Sequence, residues 1–380
     1  MKEQILLQGN NMYERLEQIL AEHNADKILL VCDSSIKFLK LDSYFEILET
    51  KLGMEVIRFQ DFIPNPTYES IVEGVKILNQ NNCKIIIAVG GGSAIDVAKC
   101  MKLFCNMSSE RCYLDQPIIS NDICLIAVPT TAGTGSEATR YAVIYYNGKK
   151  QSVSDFSCIP DCVLFDPTLL DTLPVYQKKA TMMDAFCHAI EAYWSVNSTD
   201  ESKALSKKAI SIILDAMDGY IANTQVGNEK MQKAAYYAGK AINITQTTAG
   251  HAMSYKLTSL YGISHGHAVA ICLPPIWDYM LAHTTDCIDP RGEEYLQQTF
   301  DELATILGCQ TGKEAVVYFE RMLEKLELKA PGLSSTHDLD ILARSVNPDR
   351  LKNNPIRLCS ETLYQLYEDI LKGKDNINES

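Results

Sequence analysis

The segment Lys84 to Val89 is a short apolar run rich in isoleucine. It stops on three consecutive glycines, Gly90-Gly91-Gly92, and continues as Ser93-Ala94-Ile95-Asp96-Val97-Ala98-Lys99. A buried strand that turns through glycine into a helix constrains the fold strongly, because such a turn belongs to a βα unit. It also has a chemical consequence. The first N–H groups of a helix are unpaired and carry partial positive charge, so they attract a pyrophosphate. Glycine lets the backbone come close without a Cβ in the way. The other reading is a tight turn that needs glycine only for its dihedrals. The loop matches neither GxGxxG nor a Walker pattern.

The flanking sequence repeats this grammar. Lys27 to Val31, Glu55 to Phe59 and Ile123 to Val128 read as strands, and Tyr68 to Asn81 places Ile71, Val75 and Leu78 on one helical face. Strand and helix in alternation predict a doubly wound parallel α/β sheet over residues 1–178. From about Thr181 the pattern changes. Lys203 to Ala222, Glu229 to Ile242 and Glu314 to Leu326 repeat apolar residues at helical spacing, which predicts an all-α domain over residues 179–380 with the boundary near Gln177. The Asn/Lys-rich tail after Leu371 is expected to fray.

Charge and composition exclude some functions. A formal net charge of −13 argues against a nucleic-acid partner. An anionic small substrate stays open, because one local Lys or Arg outweighs a distant field. No stretch approaches the roughly 20 apolar residues of a membrane span. Met1-Lys2-Glu3-Gln4 lacks a signal-peptide pattern, so a cytoplasmic location is expected. The thirteen cysteines form no CxxC pair and sit mostly in apolar segments, so most are expected to be reduced and buried.

Pro129-Thr130-Thr131-Ala132-Gly133-Thr134-Gly135-Ser136-Glu137 follows another strand and offers hydroxyl donors to phosphate or ribose oxygens. Alone it could be a capped helix start. With the glycine run, a dinucleotide crossing two adjacent strand ends is the better account. Asp33, just past the first strand, suits hydrogen bonds from ribose hydroxyls and would repel a 2′-phosphate, favouring NAD(H) over NADP(H). A turn aspartate is the alternative.

Of seven histidines, four lie between residues 188 and 267. Asp184 and His188 are one helical turn apart, hence on one face, and His251 and His265 come later. One carboxylate and three imidazoles suit a divalent Fe, Zn, Co or Ni ion. Alternatives stand beside this: Asp184 closing a capping box begun by Thr181, and histidines that merely satisfy a core.

Together these motifs resemble the iron-containing (group III) alcohol dehydrogenase family, whose members carry GGGSxxDxxK, PTTxGTGSE and DAxxHAxEAY followed by two histidines. Here these read Gly90 to Lys99, Pro129 to Glu137, Asp184 to Tyr193, and His251 with His265; Asn65-Pro66-Thr67, Asp166-Pro167 and Leu173-Pro174 also match. The resemblance implies a dehydroquinate-synthase-like fold with the cofactor in the cleft between the domains. It implies Asp184, His188, His251 and His265 as ligands of one divalent metal, Fe2+ or Zn2+. It places Gly91, Gly92, Ser93, Thr130, Thr131 and Thr134 on the cofactor phosphates and ribose, with Asp33, Asn65 and Lys150 joining by position. A homodimer is the family expectation.

One position departs from the pattern. Many family members have a histidine four residues after the first later ligand, where this chain has Tyr255; His267 stands two after His265. Tyr255 and His267 are therefore the candidate proton carriers. The segment from His251 to His267 resembles the phosphonoacetaldehyde reductase branch, with Lys256, Arg140, Ser254 and Thr258 as candidate phosphonate partners. The expected activity is NAD(P)H-linked reduction of phosphonoacetaldehyde to 2-hydroxyethylphosphonate. The alternatives are another short aldehyde or diol, or a dehydroquinate-synthase-like lyase that regenerates its NAD.

Overall fold

The computed structural model describes residues 3–23 and 25–372; the rest of the tail expected to fray lies outside the described residues. Two compact units emerge, Met1–Leu173 with Asn223–Gln232, and Pro174–Ala222 with Lys233–Ser380.

The first unit contains β1 (Ile5–Leu7), α1 (Met12–Glu22), β2 (Lys27–Cys32), α2 (Lys40–Leu52), β3 (Glu55–Phe59), α3 (Tyr68–Gln80), β4 (Ile85–Gly90), α4 (Gly92–Phe104), β5 (Cys124–Pro129), β6 (Tyr141–Tyr146), β7 (Lys149–Ser154) and β8 (Cys162–Leu164). Six strands form a wholly parallel sheet in the order β1-β8-β5-β4-β2-β3. Parallel strands buried on both faces read as unbroken apolar runs, and the alternation divides them cleanly. Leu29, Val31, Ile86, Ala88, Leu125 and Ala127 face α3 and α4 through Ile71, Val75, Ile95 and Met101. Ile28, Leu30, Ile85, Ile87, Ile126 and Val128 face α1 and α2 through Leu16, Leu20, Phe45 and Leu48. This is the doubly wound sheet that the alternation predicts.

Four strands have no counterpart among the segments expected from sequence. β1 and β8 are too short to show a period, and they pair with each other at one sheet edge. The antiparallel hairpin β6–β7 turns on Asn147 (φ 51°) and Gly148 (φ 69°). That pair supplies the two left-handed residues a type I′ turn needs, so its signal lay in the sequence.

The second unit is helical: α5 (Val175–Trp194), α6 (Asp200–Ile221), α7 (Gln225–Thr245, whose first residues belong to the first unit), α8 (Ala249–Tyr261), α9 (His265–Ala282), α10 (Glu293–Ile306), α11 (Gly312–Lys325), α12 (Thr336–Ser345), α13 (Pro348–Leu351) and α14 (Ser360–Lys372). Trp194, Trp277 and Phe300 meet edge-to-face in its core. Among the described residues no helix is long and apolar enough to cross a membrane. The cysteines are all free, and Cys158 and Cys162 are buried separately in the first unit.

Candidate active site

In the α/β unit the sheet order brings the ends of β5, β4 and β2 side by side. The connections from β2 and β4 leave in opposite directions, which makes this the switch point where open α/β sheets bind ligands. Gly91 caps α4, and its neighbours are the threonine turn itself. A Cβ built on Gly91 would meet Thr131 at 3.3 Å, and one on Gly92 would meet Thr134 at 3.0 Å. Thr130 N–H donates to Gly90 O at 3.0 Å. The two motifs are therefore one surface, with Ser93, Thr131 and Thr134 half-buried beside bare backbone.

Asp33 joins this surface. Its Oδ2 lies 3.6 Å from the Cβ position of Gly90, while Oδ1 accepts from Ser35 N at 2.7 Å. The turn role occupies Oδ1, and Oδ2 stands beside the glycine turn. Asn65 is exposed with φ 61°. It precedes Pro66, whose carbonyl accepts from Tyr145 N at 2.8 Å. Lys150 pairs with Tyr145 in the hairpin register; burial pushes the Asp96 carboxyl up, and Lys99 and, more weakly, Lys150 offset part of that rise.

The charged residues of the glycine motif serve the frame. Lys99 is fully buried and donates to Thr139 O at 2.7 Å and Tyr141 O at 2.8 Å. Asp96 accepts from Ser136 Oγ at 2.6 Å and Val143 N at 2.9 Å. They tie α4 to the threonine turn and hairpin, a role that local sequence did not disclose.

The helical unit gathers the second constellation. α5 starts at Val175, so Thr181 is interior and its hydroxyl donates back to Gln177 O at 2.8 Å. The capping-box alternative for Asp184 therefore falls. Ligand atoms of Asp184, His188 and His251 all lie within 4.8 Å of one another, and all three residues are buried. His251 Nε2 is 3.4 Å and His265 Nε2 3.9 Å from Asp184 Oδ1. The His188 and His251 rings stack at 4.2 Å. Asp184 Oδ1 and His251 Nε2 are buried and have no hydrogen-bond partner among the described residues. Buried polar atoms left so are costly and uncommon, and a cation between them removes the cost.

Glycines make the convergence possible. A Cβ on Gly266 would stand 2.1 Å from Ala180 O and 2.7 Å from Asp184 Cβ. The start of α9, carrying His265, thus rests directly on α5. Gly250 gives the same clearance to Glu191, where a Cβ would meet Oε1 at 3.0 Å.

Electrostatics follow the geometry. Burial pushes the Asp184 carboxyl up, but His188, then His251 and His265, overcome that and hold it far below the usual carboxylate range. Burial pushes the His251 imidazole down, but Glu191 and Asp184 reverse this and raise it to about 10. Without a metal ion, a proton on His251 fills the cation's place. Glu191, fully buried on α5, hydrogen-bonds His251 Nδ1. Glu191 lies inside the Asp184 to Tyr193 motif, and its position three residues after His188 is the one local signal of its role.

The remaining candidates separate by environment. Tyr255 is half-buried, its ring parallel to that of His265 at 5.4 Å. His267 has both nitrogens engaged, Nδ1 with Tyr176 Oη at 3.1 Å and Nε2 with Lys329 O at 3.0 Å. A carbonyl only accepts, so Nε2 carries the proton and Nδ1 accepts from the tyrosine. Ser254 donates to His251 O at 2.9 Å and Thr258 to Ser254 O at 3.1 Å. Arg140 is held over the rings of Phe156 at 4.6 Å and Tyr141 at 4.8 Å.

A switch-point cradle in an α/β unit and a carboxylate-imidazole cluster in a helical unit define an oxidoreductase of the metal-containing alcohol dehydrogenase class. The family model "Iron-containing alcohol dehydrogenase" matches residues 4–167, and that of the C-terminal part of the Fe-containing alcohol dehydrogenase family matches residues 178–371. The chain belongs to this family, and its fold is the dehydroquinate-synthase-like one. Phosphonoacetaldehyde reductase of Streptomyces viridochromogenes is 30% identical over 314 residues, covering 79% of this chain and 79% of that protein. Aldehyde-alcohol dehydrogenase 2 of Entamoeba histolytica is 30% identical over 321 residues, covering 79% of this chain. The match takes in only 37% of that relative's length. An iron-containing alcohol dehydrogenase from Thermococcus thioreducens superposes with a TM-score of 0.88 at 23% identity, over 98% of this chain and 100% of the other.

Proposed function

We propose that the chain is an NADH-linked, metal-dependent aldehyde reductase, with residues 1–178 serving the cofactor and 179–380 the metal. The single observation carrying this is the buried meeting of Asp184, His188 and His251, with His265 beside it. The donor set is mixed carboxylate and imidazole, which suits Fe2+ or Zn2+ and leaves selection to availability. When bound, such an ion supplies Lewis acidity at a carbonyl oxygen and the nicotinamide supplies hydride.

The chain's own residues do the rest. Gly91, Gly92 and Ser93 present α4 N–H groups to the pyrophosphate, and Thr130, Thr131 and Thr134 add hydroxyls. Asp33 accepts from the ribose hydroxyls and disfavours a 2′-phosphate, with Asn65 and Lys150 bordering the site. Reduction of an aldehyde would leave its oxygen needing a proton. We assign that proton to Tyr255, since His267 has both nitrogens committed elsewhere.

The substrate we favour is phosphonoacetaldehyde, reduced to 2-hydroxyethylphosphonate. Support comes from the Streptomyces relative and from Lys256, on the same helix as His251, whose ammonium has no ion pair or hydrogen bond among the described residues. Arg140, clamped between rings, is the second cation proposed. The test compares kcat/KM for phosphonoacetaldehyde, acetaldehyde and lactaldehyde with NADH and NADPH, before and after chelation. NADH and the phosphonate should win, and chelation should abolish turnover. Equal efficiency on the neutral aldehydes removes the phosphonate. Activity surviving chelation removes the metal, and substrate loss without net NADH oxidation points to lyase chemistry.

A further inference from the structure

We infer that Glu191 selects the tautomer of His251, and thereby decides whether the cluster can take up a cation. The inference deepens the metal reading above and rests on it. Glu191 Oε1 accepts three donors: Thr248 Oγ1 at 2.7 Å, Thr248 N at 3.2 Å and His251 N at 3.3 Å. Two of these are backbone N–H groups, which can never become acceptors. Trp194 Nε1–H donates to the same Thr248 hydroxyl at 3.0 Å, leaving its proton for Glu191. Oε1 must therefore remain an oxygen.

The other oxygen, Oε2, meets His251 Nδ1. A carboxylate only accepts, so Nδ1 carries a proton. In the neutral ring Nε2 then presents its lone pair toward Asp184. A carboxylate behind a ligating imidazole fixes the ring and raises its basicity. Glu191 is thus a positioning residue: it acts on the metal through His251. It also holds the first turn of α8, so one side chain sets both where the ring stands and which nitrogen is bare.

A glutamine at this position separates those two roles. Its single oxygen is drawn to the Oε1 site by three donors, which forces its NH2 onto His251 Nδ1. That nitrogen must then accept, the proton moves to Nε2, and an N–H points at the cation position. Glu191→Gln should keep the anchor and spoil the ligand. Glu191→Ala loses the anchor but leaves the ring free to choose its tautomer.

The experiment titrates metal-free wild type, E191Q and E191A with Co2+, following its d–d absorption, and records the melting of each metal-free protein. E191Q should bind Co2+ about 100-fold more weakly than wild type and E191A about 10-fold more weakly, the span seen for partners of metal-ligating histidines. Melting should run the opposite way, with E191A the less stable of the two. E191Q affinity equal to wild type, or E191A losing as much affinity as E191Q, overturns the tautomer role. So does an E191Q protein that melts as low as E191A. Wild type that takes up no Co2+ overturns the metal reading itself, a distinct outcome.

Discussion

The two sites are built in opposite ways. The cradle at the ends of β4 and β5 consists of backbone and small side chains, each motif contiguous in sequence and delivered by one strand-to-helix turn. The cluster in the helical unit consists of side-chain donors from α5, α8 and α9, separated by up to 81 positions between Asp184 and His265. The first needs local backbone shape, so it tolerates distant changes. The second exists only while three helices stay in contact, and it depends on residues that bind nothing. Gly250 and Gly266 are as necessary to it as the imidazoles.

The largest expected effect comes from removing the charge that all three imidazoles address. Asp184→Asn should lower kcat about a thousandfold, the scale of several kcal/mol of lost Lewis-acid assistance. It should leave NADH binding, read by fluorescence, within a factor of about two. Wild-type metal content in the purified variant would sink the ligand assignment. Gly266→Ala tests the same cluster through packing alone. A Cβ 2.1 Å from a backbone carbonyl cannot be accommodated without moving α9. We expect a stability loss of about 1–3 kcal/mol, typical of overpacking, and metal content well below wild type with NADH affinity retained. A variant that folds and fills its site normally would show that His265 is not placed by this contact.

The clusters should also differ in their response to pH. His251 has an ordinary pKa of 6.5 and stands at about 10 in the metal-free protein. A group raised on folding stabilises the fold fully below its unfolded pKa and loses that contribution as pH rises through its folded pKa. The metal-free protein should therefore lose stability between about pH 6.5 and 10, as the proton standing in for a cation departs. Bound metal must displace that proton, so affinity should rise with pH over the same window. Melting curves with and without Zn2+ would show the gap widening toward alkaline pH. A gap that narrows would contradict the proton's stand-in role.

How much of this was legible follows from the same contrast. The parallel sheet was legible because strands buried on both faces are near-continuous apolar runs, as at Ile85–Gly90 and Cys124–Pro129. Asp184 and His188 were legible as a pair because one helical turn separates them. Nothing local in His251 or His265 says that they face α5, since sequence spacing records covalent distance and not which face of a helix packs inward. Glu191 and Lys99 went unassigned for that reason: each works through partners 57 to 60 and 40 to 42 residues away. His267 reads as an available base from sequence alone, whereas Tyr176 and Lys329 occupy both of its nitrogens.

The smallest effect sharpens the comparison from the cradle side. Gly92→Ala adds one methyl 3.0 Å from Thr134 Cγ2 and 3.1 Å from its hydroxyl. Unlike the carbonyl facing Gly266, a threonine side chain can rotate, so the fold should absorb the change. The methyl nonetheless stands among the N–H groups of the first helical turn, where the proposed phosphate would come close, and it displaces the neighbouring Thr134 side chain. NADH affinity should fall about tenfold, near 1.4 kcal/mol, while Co2+ affinity stays at the wild-type value. If metal affinity fell in step with NADH affinity, the two sites would not be energetically separate, and the division between a backbone cradle and a side-chain cluster would fail.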